Sequence, residues 1–252
     1  MNTQNLVANP TVNSSNHSFD LCFCMDRHPL VGISGANLQL HLVARQLPAD
    51  WKLAYTTRKP KTELGLTTER ETLFPFEREP NRSKSRWSSI NRKAESDYRR
   101  LLREINPRLC HTRATLGLLP AVSRFCRSSK TPFIFTFAHD FDLTLEHLPA
   151  HRRRQFRAAI ASADLLTVLT DSMKVRVAQS YPESKVLVVR SGHSEPEPPF
   201  QKSDPPIVLW LGRLNAEWKQ PALFLQLAKA LSHTPAQLVL NGPAHARRVG
   251  TM

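Results

Sequence analysis

Between residues 108 and 190 short apolar runs alternate with helix-compatible stretches, and this alternation restricts the fold more than any other feature. RLCHT (108–112) reads as a strand, and the stretch to Cys126 as a helix despite Pro120 in its first turns. PFIFTFAHD (132–140) is the clearest strand of the chain, with His139 at its end. Residues 151–163 form a helix, 164–170 a strand, 171–181 a helix capped by Asp171 or Ser172, and 185–190 a further strand. Strands separated by helices cannot pair as hairpins, so the pattern predicts an α/β fold with a parallel sheet.

The same pattern extends in both directions. FDLCFCM (19–25) has the character of a buried strand, a glycine-bearing loop follows, and LQLHLVARQL (38–47) has helical spacing from Leu38 through Leu42 to Leu47. WKLAYTT (51–57) is a second strand, whereas residues 58–85 are polar, aperiodic and expected to form a long loop. From Trp87, the residues Ile90, Ala94, Tyr98, Leu101 and Ile105 recur at intervals of three and four, which marks one apolar helical stripe. Asn106–Pro107 ends it, because a residue before proline avoids the α region.

Composition and motifs divide the chain. Residues 1–18 lack an apolar signal core and read as a disordered tail, and 19–190 as the first domain. Residues 191–206 hold five prolines and read as a linker. Residues 207–252 supply one more strand–helix–strand unit, too little for a separate core. The expectation is therefore a second domain that is only begun.

No run approaches 18 apolar residues, so no transmembrane helix is predicted, and the expected location is cytoplasmic. Cys22, Cys24, Cys110 and Cys126 have neither CxxC nor zinc spacing; they are expected to be buried, reduced thiols, and no metal site is predicted.

The formal net charge is +14, and residues 51–110 alone contribute +7 of it. Such an excess implies an anionic partner: a phosphorylated ligand, an acidic membrane surface or nucleic acid. Residues 82–103 carry eight Lys or Arg against two acidic residues. Residues 82–105 are thus either a peripheral membrane contact or an ordinary helix with a solvated charged face. Nucleic acid is disfavoured, because aromatic stacking platforms are not interleaved with the basic clusters.

Five segments, in order, resemble the family-4 glycosyltransferases, retaining enzymes of the GT-B fold. They are VGISGANLQLHLVARQL, NPRLCHTRATLGLLPA, PFIFTFAHD, ASADLLTVLTDSMKVRVAQSYPESKVLVVRSGH and LWLGRLNAEWKQPALFLQLAKAL. The resemblance implies a Rossmann-like N-terminal domain of a GT-B fold, followed by the first part of a C-terminal Rossmann-like domain. It also implies transfer of a sugar from a nucleotide-sugar donor to an acceptor hydroxyl, with retention and with no cofactor. The acceptor is left open as a glycan or a lipid-linked molecule.

By this resemblance Arg213 and Lys219 hold the donor diphosphate, a role suited to a planar fork and a mobile point charge. Gly32 and Gly35 let the backbone approach the donor, and His139 lies at the transferred sugar. His111 matches a family histidine and is read as structural. Ser191–Gly192–His193 departs from the family's Asn-Gly-Val at the crossover between domains. The family's Glu-x7-Glu pair has no counterpart, since no acidic residue follows Glu217. Two alternatives follow: an inactive remnant, or half of a split enzyme that needs a partner chain.

Overall fold

The computed structural model describes residues 17–25, 35–58, 69–76, 87–114, 117–146, 148–192, 204–212 and 220–241. The chain divides into two compact units, residues 1–193 and 194–252.

The first unit is built on seven parallel strands. In chain order its elements are β1 (Leu21–Cys24), α1 (Gly35–Gln46), β2 (Leu53–Arg58), β3 (Glu71–Phe76), α2 (Trp87–Ile105) and β4 (Cys110–Arg113). Then follow α3 (Leu119–Ser129), β5 (Phe133–Thr136), α4 (Asp140–Thr144), α5 (Ala150–Ala161), β6 (Leu165–Val168), α6 (Asp171–Ser180) and β7 (Val186–Val188). The sheet order is β3-β2-β1-β4-β5-β6-β7, with every pair parallel. The α/β expectation is met as a Rossmann-like sheet.

Period-two alternation assigns each strand residue to one of two cores. Cys22, Cys24, Cys110, Phe133, Phe135 and Leu166 face α2, α3, α5 and α6, where Tyr98, Leu102, Phe125 and Phe156 close the packing. Leu21, Phe23, Leu53 and Tyr55 face Leu40 and Ala44 of α1. β1 lies centrally between β2 and β4, so both its faces are covered and all four residues are buried. All four cysteines are free and buried as expected. Hydrogen bonding with Cys24, together with burial, pushes the Cys22 thiol up.

Several expectations need correction. The stretch 58–85 is predicted to be a loop but holds β3, which among the described residues is an edge strand paired with β2. Pro75 lacks an N–H, and an edge position tolerates that loss because one side of the strand carries no ladder. β5 is only four residues long, so His139 does not end a strand; it caps the short helix α4. The cap of α6 is Thr170, whose Oγ1 accepts from the Met173 amide at 3.2 Å, rather than Asp171 or Ser172. In α1 the buried pair is Leu40 and Ala44, and Leu38 is exposed. In α2 the buried stripe runs Tyr98, Leu102, Ile105, while the side chains of Trp87 and Ile90 lie outside the described residues.

The second unit contains β8 (Ile207–Leu211), α7 (Pro221–Ala230) and β9 (Gln237–Asn241) among its described residues. β8 and β9 pair in parallel from Ile207↔Gln237 to Leu211↔Asn241. Phe224 is buried beneath α7, but Leu223, Leu225 and Leu227 are exposed, as are Ile207, Leu209 and Leu211 on alternate positions of β8.

Candidate functional site

In a sheet of this order, consecutive connections leave β1 and β4 toward opposite sides. The carboxyl ends of those two strands therefore bound a crevice, where open α/β sheets bind ligands. Gly35 is the first residue of α1, on the carboxyl side of β1. Gln39, one turn further and buried, donates from Nε2 to the Gly192 carbonyl at 3.5 Å. This contact draws the segment after β7 to the first turns of α1. A Cβ placed on Gly192 would meet nothing within 4 Å, so that backbone faces open space.

His139 stands beyond β5 on the same edge. Its own amide and that of Ala138 both donate to Asp142 Oδ2, at 3.0 and 2.9 Å, and Asp142 is buried. The carboxylate clips the turn, and the imidazole is left exposed. Next to it, Asp140 pairs with Arg176 at 2.8 Å, and Asp171 with Arg190 at 2.7 Å. These pairs join α4 to α6 and α6 to the end of β7.

A polar row crosses the sheet just below this edge. His111 Nε2 lies 2.8 Å from Thr136 Oγ1, which lies 2.5 Å from Thr167 Oγ1. The three residues stand on neighbouring strands with their side chains on one face. Burial, and secondarily the charge of Arg113, hold the His111 pKa down at about 4, so its ring is neutral. The structural reading of His111 agrees with this hydrogen-bonded position.

Arg113 closes β4 one step nearer the crevice. Ala114 follows it with φ 62°, a left-handed conformation, and its amide donates to the Thr136 carbonyl at 2.9 Å. The Arg113 side chain is half-buried, and its buried Nε has no hydrogen-bond partner among the described residues. Burial lowers its pKa, with Asp142 acting in the opposite sense. Sequence reading passed over Arg113 and the two threonines. A threonine in FIFT and another in LLTV become meaningful only once register sets them side by side.

Gly32, Arg213 and Lys219 lie outside the described residues, so of the predicted site residues the structure places Gly35 and His139, both on the carboxyl edge of the first unit. The basic cluster at 151–154 is in part structural: Arg152 is buried, donates to the Gly117 carbonyl at 3.1 Å and lies over the Phe156 ring. In α2, Lys93 and Arg100 are matched by Asp97 and Glu104 on the same helix, and Arg124 of α3 pairs with Glu95. Among the described residues there is no group of three or more metal-ligating side chains and no helix long and apolar enough to cross a membrane.

No known protein family and no curated protein matches the sequence. Solved structures do match the fold. A UDP-forming α,α-trehalose-phosphate synthase from Burkholderia xenovorans is 12% identical, with a TM-score of 0.62 over 90% of this chain and 65% of its own. Trehalose-6-phosphate from E. coli bound with UDP-2-fluoro glucose, as that structure is described, gives 10%, 0.57, 90% and 65%. MurG of Acinetobacter baumannii gives 13%, 0.50, 91% and 60%. The likeness is to the Rossmann-like GT-B fold of these proteins. At these identities the likeness is one of fold alone, and the chain spans 60–65% of the length of these three proteins.

Proposed function

We propose that this chain is a glycosyltransferase that moves a sugar from a nucleotide-sugar donor to an acceptor hydroxyl, with retention, in the manner of family 4. The observation that carries the reading is the parallel sheet, matched over 90% of the chain to a UDP-forming synthase and to a structure bound with a UDP-sugar analogue. The bond from the anomeric carbon to the diphosphate oxygen breaks as the acceptor oxygen bonds to that carbon. The nucleoside diphosphate leaves with growing negative charge, and the acceptor proton is released.

In this reading Arg213 and Lys219 stabilise the departing diphosphate, since fixed positive groups act most strongly where charge develops. The backbone of Gly32 and Gly35 approaches the donor, and the first turn of α1 offers unpaired N–H groups to an anion. His139, exposed beyond β5, has room to meet the transferred sugar. The domain assignment follows: residues 19–190 on the acceptor side, 191–206 as linker, 207–252 on the donor side. The acceptor is a glycan or a lipid-linked molecule in the cytoplasm, with residues 82–105 as a peripheral membrane contact in the lipid case.

A second reading is favoured by the exposed leucines of the second unit, Leu223, Leu225 and Leu227. Here a partner chain packs on that unit, and donor binding needs both. Calorimetric titration with UDP- and GDP-sugars separates the two. Saturable binding that is lost in Arg213→Ala supports the transferase; a folded chain that binds no donor supports the second reading.

A further inference from the structure

We infer that a recess formed by α4, α5 and α6 is a second binding site, separate from the crevice, for a small apolar carboxylate held by Arg157 and the Tyr181 hydroxyl. The inference does not depend on the glycosyltransferase reading.

The recess has a volume of about 480 Å³ and is lined by Leu143, Arg157, Ala158, Ala161, Ser180 and Tyr181. Small-molecule sites span roughly 300–1,000 Å³, so there is room for one ring with a short chain. Arg157, Ala158 and Ala161 lie in the last two turns of α5, and Ser180 and Tyr181 close α6. Those helix ends lead into the amino ends of β6 and β7, so these five residues stand toward the opposite edge from the crevice. Tyr181 is held firmly there. Its amide donates to the Val177 carbonyl at 2.8 Å, its carbonyl accepts from the Ser184 amide at 3.1 Å, and its ring lies 6.1 Å from that of Phe137.

Two donors of the recess are uncommitted. Burial pushes the Tyr181 phenol up to about 12, so it keeps its proton, and it donates to no described residue. Arg157 stands close enough for its charge to oppose that rise, yet it enters no ion pair or hydrogen bond among the described residues. No acidic residue on α5 competes for it. The Ser180 hydroxyl, by contrast, is spent on the Arg176 carbonyl at 3.0 Å. A planar fork and a fixed phenolic O–H match the two oxygens of a carboxylate. Arg157 is exposed, so pairing with it is weak by itself, and the ligand needs an apolar body as well. Leu143, Ala158, Ala161 and the Tyr181 ring supply the seat for that body. One cation lines the recess and balances one negative charge, whereas a phosphate monoester brings up to about two.

The test titrates the full chain calorimetrically with phenylpropionate, phenylpropionamide, acetate and phenyl phosphate, using the native protein, Arg157→Gln and Ala158→Leu. Both replaced residues are exposed, so the variants are expected to melt as the native chain does. Phenylpropionate is expected to bind the native protein at least about tenfold more tightly than the amide, which lacks the charge, and than acetate, which lacks the apolar body. In Arg157→Gln the acid and the amide become equal. In Ala158→Leu the added side chain occupies the recess, and phenylpropionate binding falls at least about tenfold. No binding of phenylpropionate, or equal affinity for the acid and the amide in the native protein, would overturn the inference. Binding unchanged in either variant would do the same and would move the ligand to the exposed leucines of the second unit. Tighter binding of phenyl phosphate than of phenylpropionate would overturn the carboxylate assignment. UDP-glucose is expected to behave alike in all three proteins, and an affinity that changes in a variant would overturn the separateness of the two sites. Should a variant not fold, the Arg157 and Tyr181 resonances of the native chain decide in its place: they shift saturably with phenylpropionate or the inference falls.

Discussion

The two units use the same strand–helix–strand connection but differ in how much apolar surface they cover. In the first, β1 has a parallel neighbour on each side and helices over both faces, and Leu21, Cys22, Phe23 and Cys24 are all buried. In the second, β8 has one neighbour among the described residues, and Ile207, Leu209 and Leu211 are 50, 53 and 65% exposed. The described strand pair and single helix of the second unit offer these side chains few faces to pack against. Apolar content alone is therefore a poor guide to burial; what matters is the number of elements available to pack against each strand.

The sharpest way to break this contrast is to separate the units. Residues 1–193 expressed alone should show cooperative thermal unfolding by circular dichroism, and residues 194–252 alone should show none. A cooperative transition in the short fragment would refute the distinction. Single truncations refine it: Phe135→Ala, in the fully buried core, should cost about 3–5 kcal/mol in denaturant unfolding. Leu209→Ala in β8 should stay within about 0.5 kcal/mol.

The polar row gives the next effect. Since folding lowers the pKa of His111 to about 4 from the ordinary 6.5, the unfolded chain binds the proton more readily between those values. Stability contributed by the neutral imidazole is complete above about pH 6.5 and declines as pH falls toward about 4, by at most roughly 3 kcal/mol. A His111→Asn variant should flatten this part of the pH–stability curve, and an unchanged slope would show that other groups dominate. Smaller than the His111 effect is that of the α6 cap, where Thr170→Ala should cost about 1 kcal/mol by removing the acceptor of the Met173 amide.

The comparison also explains what could be read from sequence. Elements whose signal is local were legible: the Tyr98–Ile105 stripe of α2, the aromatic FIFT strand and the strand–helix alternation that fixes a parallel sheet. Elements stabilised by one neighbour were not. β3 has Glu71, Thr72 and Pro75 in six residues, and only pairing with β2 makes it a strand. The end of β5 was misplaced because FIFTFAHD stays apolar after the ladder stops, so composition carried the strand past Thr136 to His139. In the candidate site, Gly35 and His139 were named from their motif context, whereas Arg113 was passed over. A lone arginine at a strand end has no sequence signature, and that its Nε is buried is revealed only by the fold. In the second unit Leu223 and Leu227 are exposed, whereas Phe224 turns inward.

The central claim is that the carboxyl edge of the first unit faces a nucleotide-sugar. Amide chemical-shift mapping of the full chain during titration with UDP-glucose and GDP-mannose tests it most directly. Saturable shifts are expected at Gly35, Ala138, His139 and Gly192, with Asp20, Lys52 and Asp164 at the opposite edge unmoved. Saturation with shifts confined to the opposite edge, or no shift with any donor, would contradict it.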